Sequence, residues 1–253
     1  MPTARESLLN AAFRALSELP WSAVRMVDVA SAAGVSRQTL YNEFGSKEGL
    51  ARALVRKEAD VFLHGVDRVL TAGSGSGSGS GGGAEAACRG SADTLASVAE
   101  WTVDMARARP LLRALLTGCW SDRLPAPRPA RGDAARSGVP AQRRADGPLP
   151  APAELLATVR DRSLAALGGT GTGTASLGGG PATAPRTAAA TPWAQTARGR
   201  EGTELRDLAH HCELALRLAL SYVVVPVPDD VGAAVRTALG SPVSGSNLRA
   251  AGR

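Results

Sequence analysis

The sequence predicts an all-α protein: an N-terminal three-helix bundle containing a tight helix–turn–helix unit, joined to a C-terminal helical domain. Three observations carry this. Apolar residues recur at steps of three and four over residues 3–19, 26–50 and 205–225, the spacing of a helix with one buried face. Glycine and proline punctuate those runs at Pro20, Gly34, Pro110 and Pro226, where a helix has to stop or start again. Aromatic residues make up only 4% of the chain, so its core must be alanine and leucine packed between helices.

The first helix spans 3–19, with Leu8, Leu9, Ala12, Phe13 and Leu16 on one face. Thr3 stands three residues before Glu6, the spacing of a capping box. Pro20 lies beyond the end of this helix, and Trp21 is expected to pack onto the bundle. Ser46 caps a long helix from about Lys47 to Leu70, whose stripe reads Leu50, Ala53, Leu54, the stem of Lys57, Val61, Leu63 or His64, and Val66. The run GSGSGSGSGGG at 73–83 cannot pack a core and reads as a linker. Helical pattern resumes over 91–118, broken by Pro110, and again at Leu155, Leu156, Val159, Ser163, Leu164 and Leu167. The tracts 122–152 and 168–200, rich in Pro, Arg, Ala, Gly and Thr, are expected to lack structure. A long stripe follows from Leu205 through Cys212, Leu216, Ala219 and Tyr222 to Val225, stopped by Pro226 and Pro228. Asp229 or Asp230 then caps a last helix ended by Gly240, and the polar tail beyond it is expected to fray. Two domains result, 1–72 and 84–240.

Residues 26–50 carry most of the functional information. Met26, Val29, Ala30 and Ala33 give a short helix one buried stripe, and Gly34 takes the left-handed conformation that ends it. Val35 plugs the angle and Ser36 caps a second short helix. Val29, Ala33, Val35, Leu40, Phe44 and Leu50 are assigned to the core, leaving Arg37, Gln38, Thr39 and Asn42 as polar groups in front. A helix apolar behind and rich in hydrogen-bonding side chains in front suits a DNA major groove. Arg pairs with guanine, Gln with adenine, and the Thr methyl meets thymine, so Arg37, Gln38 and Thr39 are the candidates for base edges. Ser36 and the backbone at the helix start are candidates for phosphate, and Asn42 suits either role. The competing reading is an ordinary solvated helix face.

Charge adds little to this argument. The net +6 of the chain sits within residues 121–200, whereas residues 1–72 carry only +1. No run of about 18 apolar residues exists to span a bilayer, and no apolar leader precedes the first helix. Cys88, Cys119 and Cys212 are few, odd in number and far apart, which argues for a reducing, cytoplasmic setting. Adjacent His210, His211 and Cys212 point in different directions around a helix, so no metal is expected. No nucleophile, carboxylate pair or phosphate loop stands out either; neither an enzyme nor a cofactor is expected.

The stretch VRMVDVASAAGVSRQTLYNEFGSKEGLARALV resembles the TetR family of bacterial transcriptional regulators, through its turn glycine, cap serine, tyrosine, second aromatic, lysine and leucine. The resemblance covers roughly residues 5–60. RLALSYVVVP at 217–226, followed by a short final helix, resembles the C-terminal part of some actinobacterial members, while the Gly/Ser, Pro/Arg and Gly/Thr tracts depart from the family. It implies that Tyr41 and Lys47 hold phosphates. It also implies a homodimer on a palindromic operator of double-stranded DNA, a C-terminal dimerisation and ligand domain, and a small-molecule effector that releases a repressor. Trp101, Met105, Trp120, His210 and Tyr222 are candidates for the effector pocket, each also readable as core or, for His210, as partner surface. The alternative function is a dimeric helical interaction or structural protein with weak, non-specific DNA binding.

Overall fold

A computed structural model describes residues 3–75, 84–126, 149–168, 192–227 and 230–240. Among these the regular structure is helical: α1 (Ala4–Glu18), a short 3-10 turn (Trp21–Ala23), α2 (Met26–Ala32), α3 (Arg37–Phe44), α4 (Lys47–Gly75), α5 (Ala84–Ala108), α6 (Pro110–Thr117), α7 (Pro152–Gly168), α8 (Pro192–Val224) and α9 (Val231–Gly240). The chain divides into two units, Met1–Gly65 with Thr102–Ala157 and Val66–Trp101 with Thr158–Arg253, so the division falls within α4, α5 and α7.

In the first unit, the α1 start follows its capping box: Thr3 Oγ1 accepts from the Glu6 amide at 3.2 Å, and Glu6 Oε2 accepts from the Thr3 amide at 2.8 Å. These bonds hold the Glu6 carboxyl below its usual range. Helices α1, α2 and α3 pack on one another, burying Leu8, Leu9, Ala12, Val29, Ala30, Leu40 and Phe44. Ala33 and Val35, expected in the core, are only half-buried. Pro110 opens α6 at its first position, where a missing N–H costs nothing, and Gly118 closes it at φ +72°. Glu58 is buried and receives Arg109 Nη1 on both carboxylate oxygens, at 3.1 and 3.0 Å.

Several expectations change. Along α4 Leu50, Ala53, Leu54 and Val66 are buried as expected, and so are Val55, Glu58, Ala59, Phe62 and Leu70, while Lys57 and Leu63 are half-buried, His64 is exposed and Val61 is 37% exposed. The expected stripe took a step of three from Leu54 to Lys57, whereas the most buried row keeps to steps of four: Leu50, Leu54, Glu58, Phe62, Val66 and Leu70. Residues 73–75, assigned to the linker, are the last of α4, and residues 192–200, assigned to an unstructured tract, open α8. Segments 122–126 and 149–152 also carry ordered features, since Pro125 is buried and the Ala151 amide is held by Glu154 Oε2 at 2.9 Å. Leu205 and Val225, taken as part of the long apolar stripe, are 54% and 63% exposed. The remainder of those tracts (76–83, 127–148 and 169–191), the tail from 241 and Asp229 lie outside the described residues.

In the second unit, α8 packs on α9, and Cys212, Ala215, Leu216, Ala219 and Val223 are buried along its inner face. Burial pushes the Cys212 thiol up to about 11, which leaves it a small apolar side chain. Asp230 caps α9, its Oδ1 accepting from the Gly232 amide at 2.8 Å.

Candidate nucleic-acid interface

The turn between α2 and α3 is built by backbone alone. Gly34 sits at φ +69°, and the Val35 amide returns to the Ala30 carbonyl at 3.1 Å, closing α2. Ser36 then adopts an extended backbone, and its Oγ accepts from the Thr39 amide at 3.0 Å. Such a cap contributes about 1 kcal/mol and fixes where α3 begins.

From that start, the 3.6-residue period places Leu40 and Phe44 together on the inner side, where both are essentially inaccessible. Arg37, Gln38, Tyr41 and Asn42 are left exposed, Tyr41 by 46%. Gln38 Nε2 donates to Asn42 Oδ1 at 2.9 Å, so the two amides lie side by side on the outer surface. Thr39 is half-buried with its hydroxyl 2.9 Å from that of Ser36. The helix therefore presents a guanidinium, two amides, a phenol and a hydroxyl pair, the donor and acceptor types that read base edges and phosphates.

Lys47 stands at the first position of α4, half-buried. Its Nζ donates to the Ser22 carbonyl at 3.3 Å and lies 5.0 Å from the centre of the Trp21 ring. Partial burial lowers its ammonium below the usual lysine value, against a smaller opposing pull from Glu48. An ammonium has three donors, and this one keeps capacity for a phosphate.

Sequence reasoning missed several residues that hold this surface in place. Gly45 closes α3 at φ +71°. A Cβ on Gly49 would sit 1.9 Å from the Phe44 carbonyl oxygen, so α4 can leave α3 this closely only with glycine there. Glycine in the first turn of a long helix costs about 1 kcal/mol against alanine, and that local penalty was the available signal. Arg5 lies over the Phe44 ring at 4.8 Å and reaches Glu43 at 3.4 Å, tying α1 to the back of α3.

Of the five residues assigned to an effector pocket, Trp101, Met105, Trp120 and Tyr222 are half-buried and His210 is exposed beside His211. Trp101 carries Arg68 over its ring at 5.7 Å, and its buried indole N–H has no acceptor among the described residues. Two shallow grooves open on the second unit, one lined by Arg217, Leu220, Ser221, Val224, Val225 and Val227, the other by Cys88, Arg89, Ala92, Leu239 and Gly240. None of the five lines either groove.

Comparison with known proteins locates the resemblance. The model of the family described as bacterial regulatory proteins, tetR family, matches residues 8–54. The HTH-type transcriptional regulator AlkX of Mycobacterium tuberculosis is 47% identical over 68 residues, 27% of this chain. The match spans about a third of that relative's own length (32%). The crystal structure of the TetR family repressor AlkX from a Dietzia strain, implicated in n-alkane biodegradation, aligns over 94% of both chains at 19% identity and a TM-score of 0.38. That score is too low to establish a shared fold.

Proposed function

We propose that residues 8–54, which the tetR family model matches, form a DNA-binding head, and that the chain is a sequence-specific transcriptional regulator, a repressor released from a palindromic operator by a small molecule. The observation that carries this reading is the two-sidedness of α3: Leu40 and Phe44 are sealed behind it while Arg37, Gln38, Tyr41 and Asn42 stand exposed in front. Arg37, Gln38 and Thr39 meet base edges; Ser36, Tyr41 and Lys47 hold phosphates; Asn42 serves either.

One α3 reads only a few base pairs, so a homodimer is needed for useful specificity, with half-sites about 34 Å apart. The exposed apolar end of α8 supports association, with Val224 and Val225 56% and 63% accessible beside Leu220. Within this reading, residues 1–72 are the head and residues 84–240 the regulatory and dimerisation domain. No effector pocket is assigned: the candidates Trp101, Met105, Trp120, His210 and Tyr222 divide between the two units, and none lines either groove. An effector that changes the spacing of two heads weakens binding without altering either head.

Selection of bound fragments from random duplex DNA tests this. The expected result is one palindromic motif with half-sites a helical turn apart, weakened when Arg37 or Gln38 is replaced by Ala. Equal affinity for the selected duplex and its scrambled counterpart would reject sequence-specific regulation in favour of loose DNA binding.

A further inference from the structure

Lys47 does not reach the interface unaided. Its ammonium rests over the Trp21 ring, 5.0 Å from the centroid, with Nζ 3.3 Å from the Ser22 carbonyl. Trp21 is in turn held from outside the helix–turn–helix: its amide donates to the Arg123 carbonyl at 2.9 Å. Arg123 belongs to the loop that leaves α6, which starts at Gly118 with φ +72°. That loop folds back through a Leu124 amide to Ser121 carbonyl bond of 3.0 Å and buries Pro125. All of these residues lie in the same unit.

We propose that Trp21, held by the loop over residues 119–126, is a positioning residue for the phosphate grip of Lys47, so that the exit of α6 adjusts DNA affinity without moving the base-reading face of α3. A lysine stem has four rotatable carbons, and freezing them is a cost met at the moment of binding. An indole face and a carbonyl that already hold the ammonium remove much of that cost beforehand, while leaving donors for the phosphate. The route from α6 to the DNA edge is short: Arg123 carbonyl, Trp21 amide, indole face, ammonium. The proposal rests on the assignment of Lys47 to a phosphate, and its test separates the two.

The test is the salt dependence of binding of the full chain to a random-sequence duplex of about 30 base pairs, which reports phosphate contacts whatever the operator is. Lys47→Ala should lower the slope of log affinity against log salt by about 0.9 per head, the loss of one phosphate contact. Trp21→Ala should lose the same amount, the double variant no more, and Trp21→Phe should recover most of it. Pro125→Gly loosens the loop without touching either side chain; it should lower the slope partway and speed hydrogen exchange at the Trp21 amide, and it keeps the test open if Trp21→Ala fails to fold. If Lys47→Ala lowers the slope while Trp21→Phe and Pro125→Gly both match the wild type in slope and affinity, and Trp21→Ala does so if it folds, the positioning role is wrong and the DNA-binding reading stands. A wild-type slope for Lys47→Ala, or no binding to duplex at all, removes the grip and the proposal with it.

Discussion

Helix α3 buries Leu40 and Phe44 completely among its own neighbours, whereas the last turn of α8 and the residues after it leave Val224, Val225 and Val227 at 56%, 63% and 37% exposure. Both are short stretches of helix surface with apolar and polar sides. In the head the apolar side is used up by α1, α2 and α4, so what faces outward is polar and suited to a charged, hydrogen-bonding partner. At the end of α8 an apolar face continues past what α9 covers, and such a face gains most from a partner that is itself apolar. The two surfaces thus differ in kind: hydrogen-bonding groups face outward in the head, and an apolar face is left open at the end of α8.

The contrast can be broken most forcibly in the head. Phe44→Ala should cost about 3–5 kcal/mol, since the ring is fully buried and carries Arg5 over its face. Denaturant melts should show that loss, and a midpoint near wild type would mean the head is not the tight bundle described. Replacing both Val224 and Val225 by Asp should leave unfolding of the single chain within about 0.5 kcal/mol. The same change should weaken self-association tenfold or more, a shift of about 1.4 kcal/mol, read by analytical ultracentrifugation. An unaltered association constant would move the partner-binding surface elsewhere.

The smallest effect concerns an exception within the head. Glu58 is 2% exposed, and burial pushes its carboxyl above the usual carboxylate range despite the opposing pull of Arg109. The folded value exceeds the unfolded one, so this group's contribution is fully present below about pH 4.5 and is lost as pH rises through the folded value. Glu58→Gln should flatten the fall of stability above about pH 4.5, by at most about 1.4 kcal/mol per pH unit. Urea midpoints taken from mildly acidic to neutral pH would decide it; parallel curves for the two proteins would contradict the assignment.

What the sequence made legible was local. Thr3 with Glu6, Gly34 with Ser36, and Pro110 each act within one turn of helix, and the structure uses all of them as their chemistry dictates. What escaped was set by distant partners. Nothing near Glu58 announces Arg109, 51 residues away, and nothing near Trp21 announces the Arg123 carbonyl. The long stripes were extended too far, to Leu205 and Val225, because periodicity tells which side of a helix is apolar but not how far a neighbour covers it. The exposed polar residues of α3 stood out because that helix is short, capped and flanked by glycines, leaving little choice about which side looks inward.

Gly49 has a consequence for engineering. With a backbone oxygen where its side chain would be, the crossing of α3 and α4 is set by contact between main chains rather than by the outward residues. If the proposed reading holds, the exposed face of α3 is an interchangeable cassette: Arg37, Gln38, Tyr41 and Asn42 could be rewritten for a new target while Gly34, Gly45 and Gly49 preserve the mount.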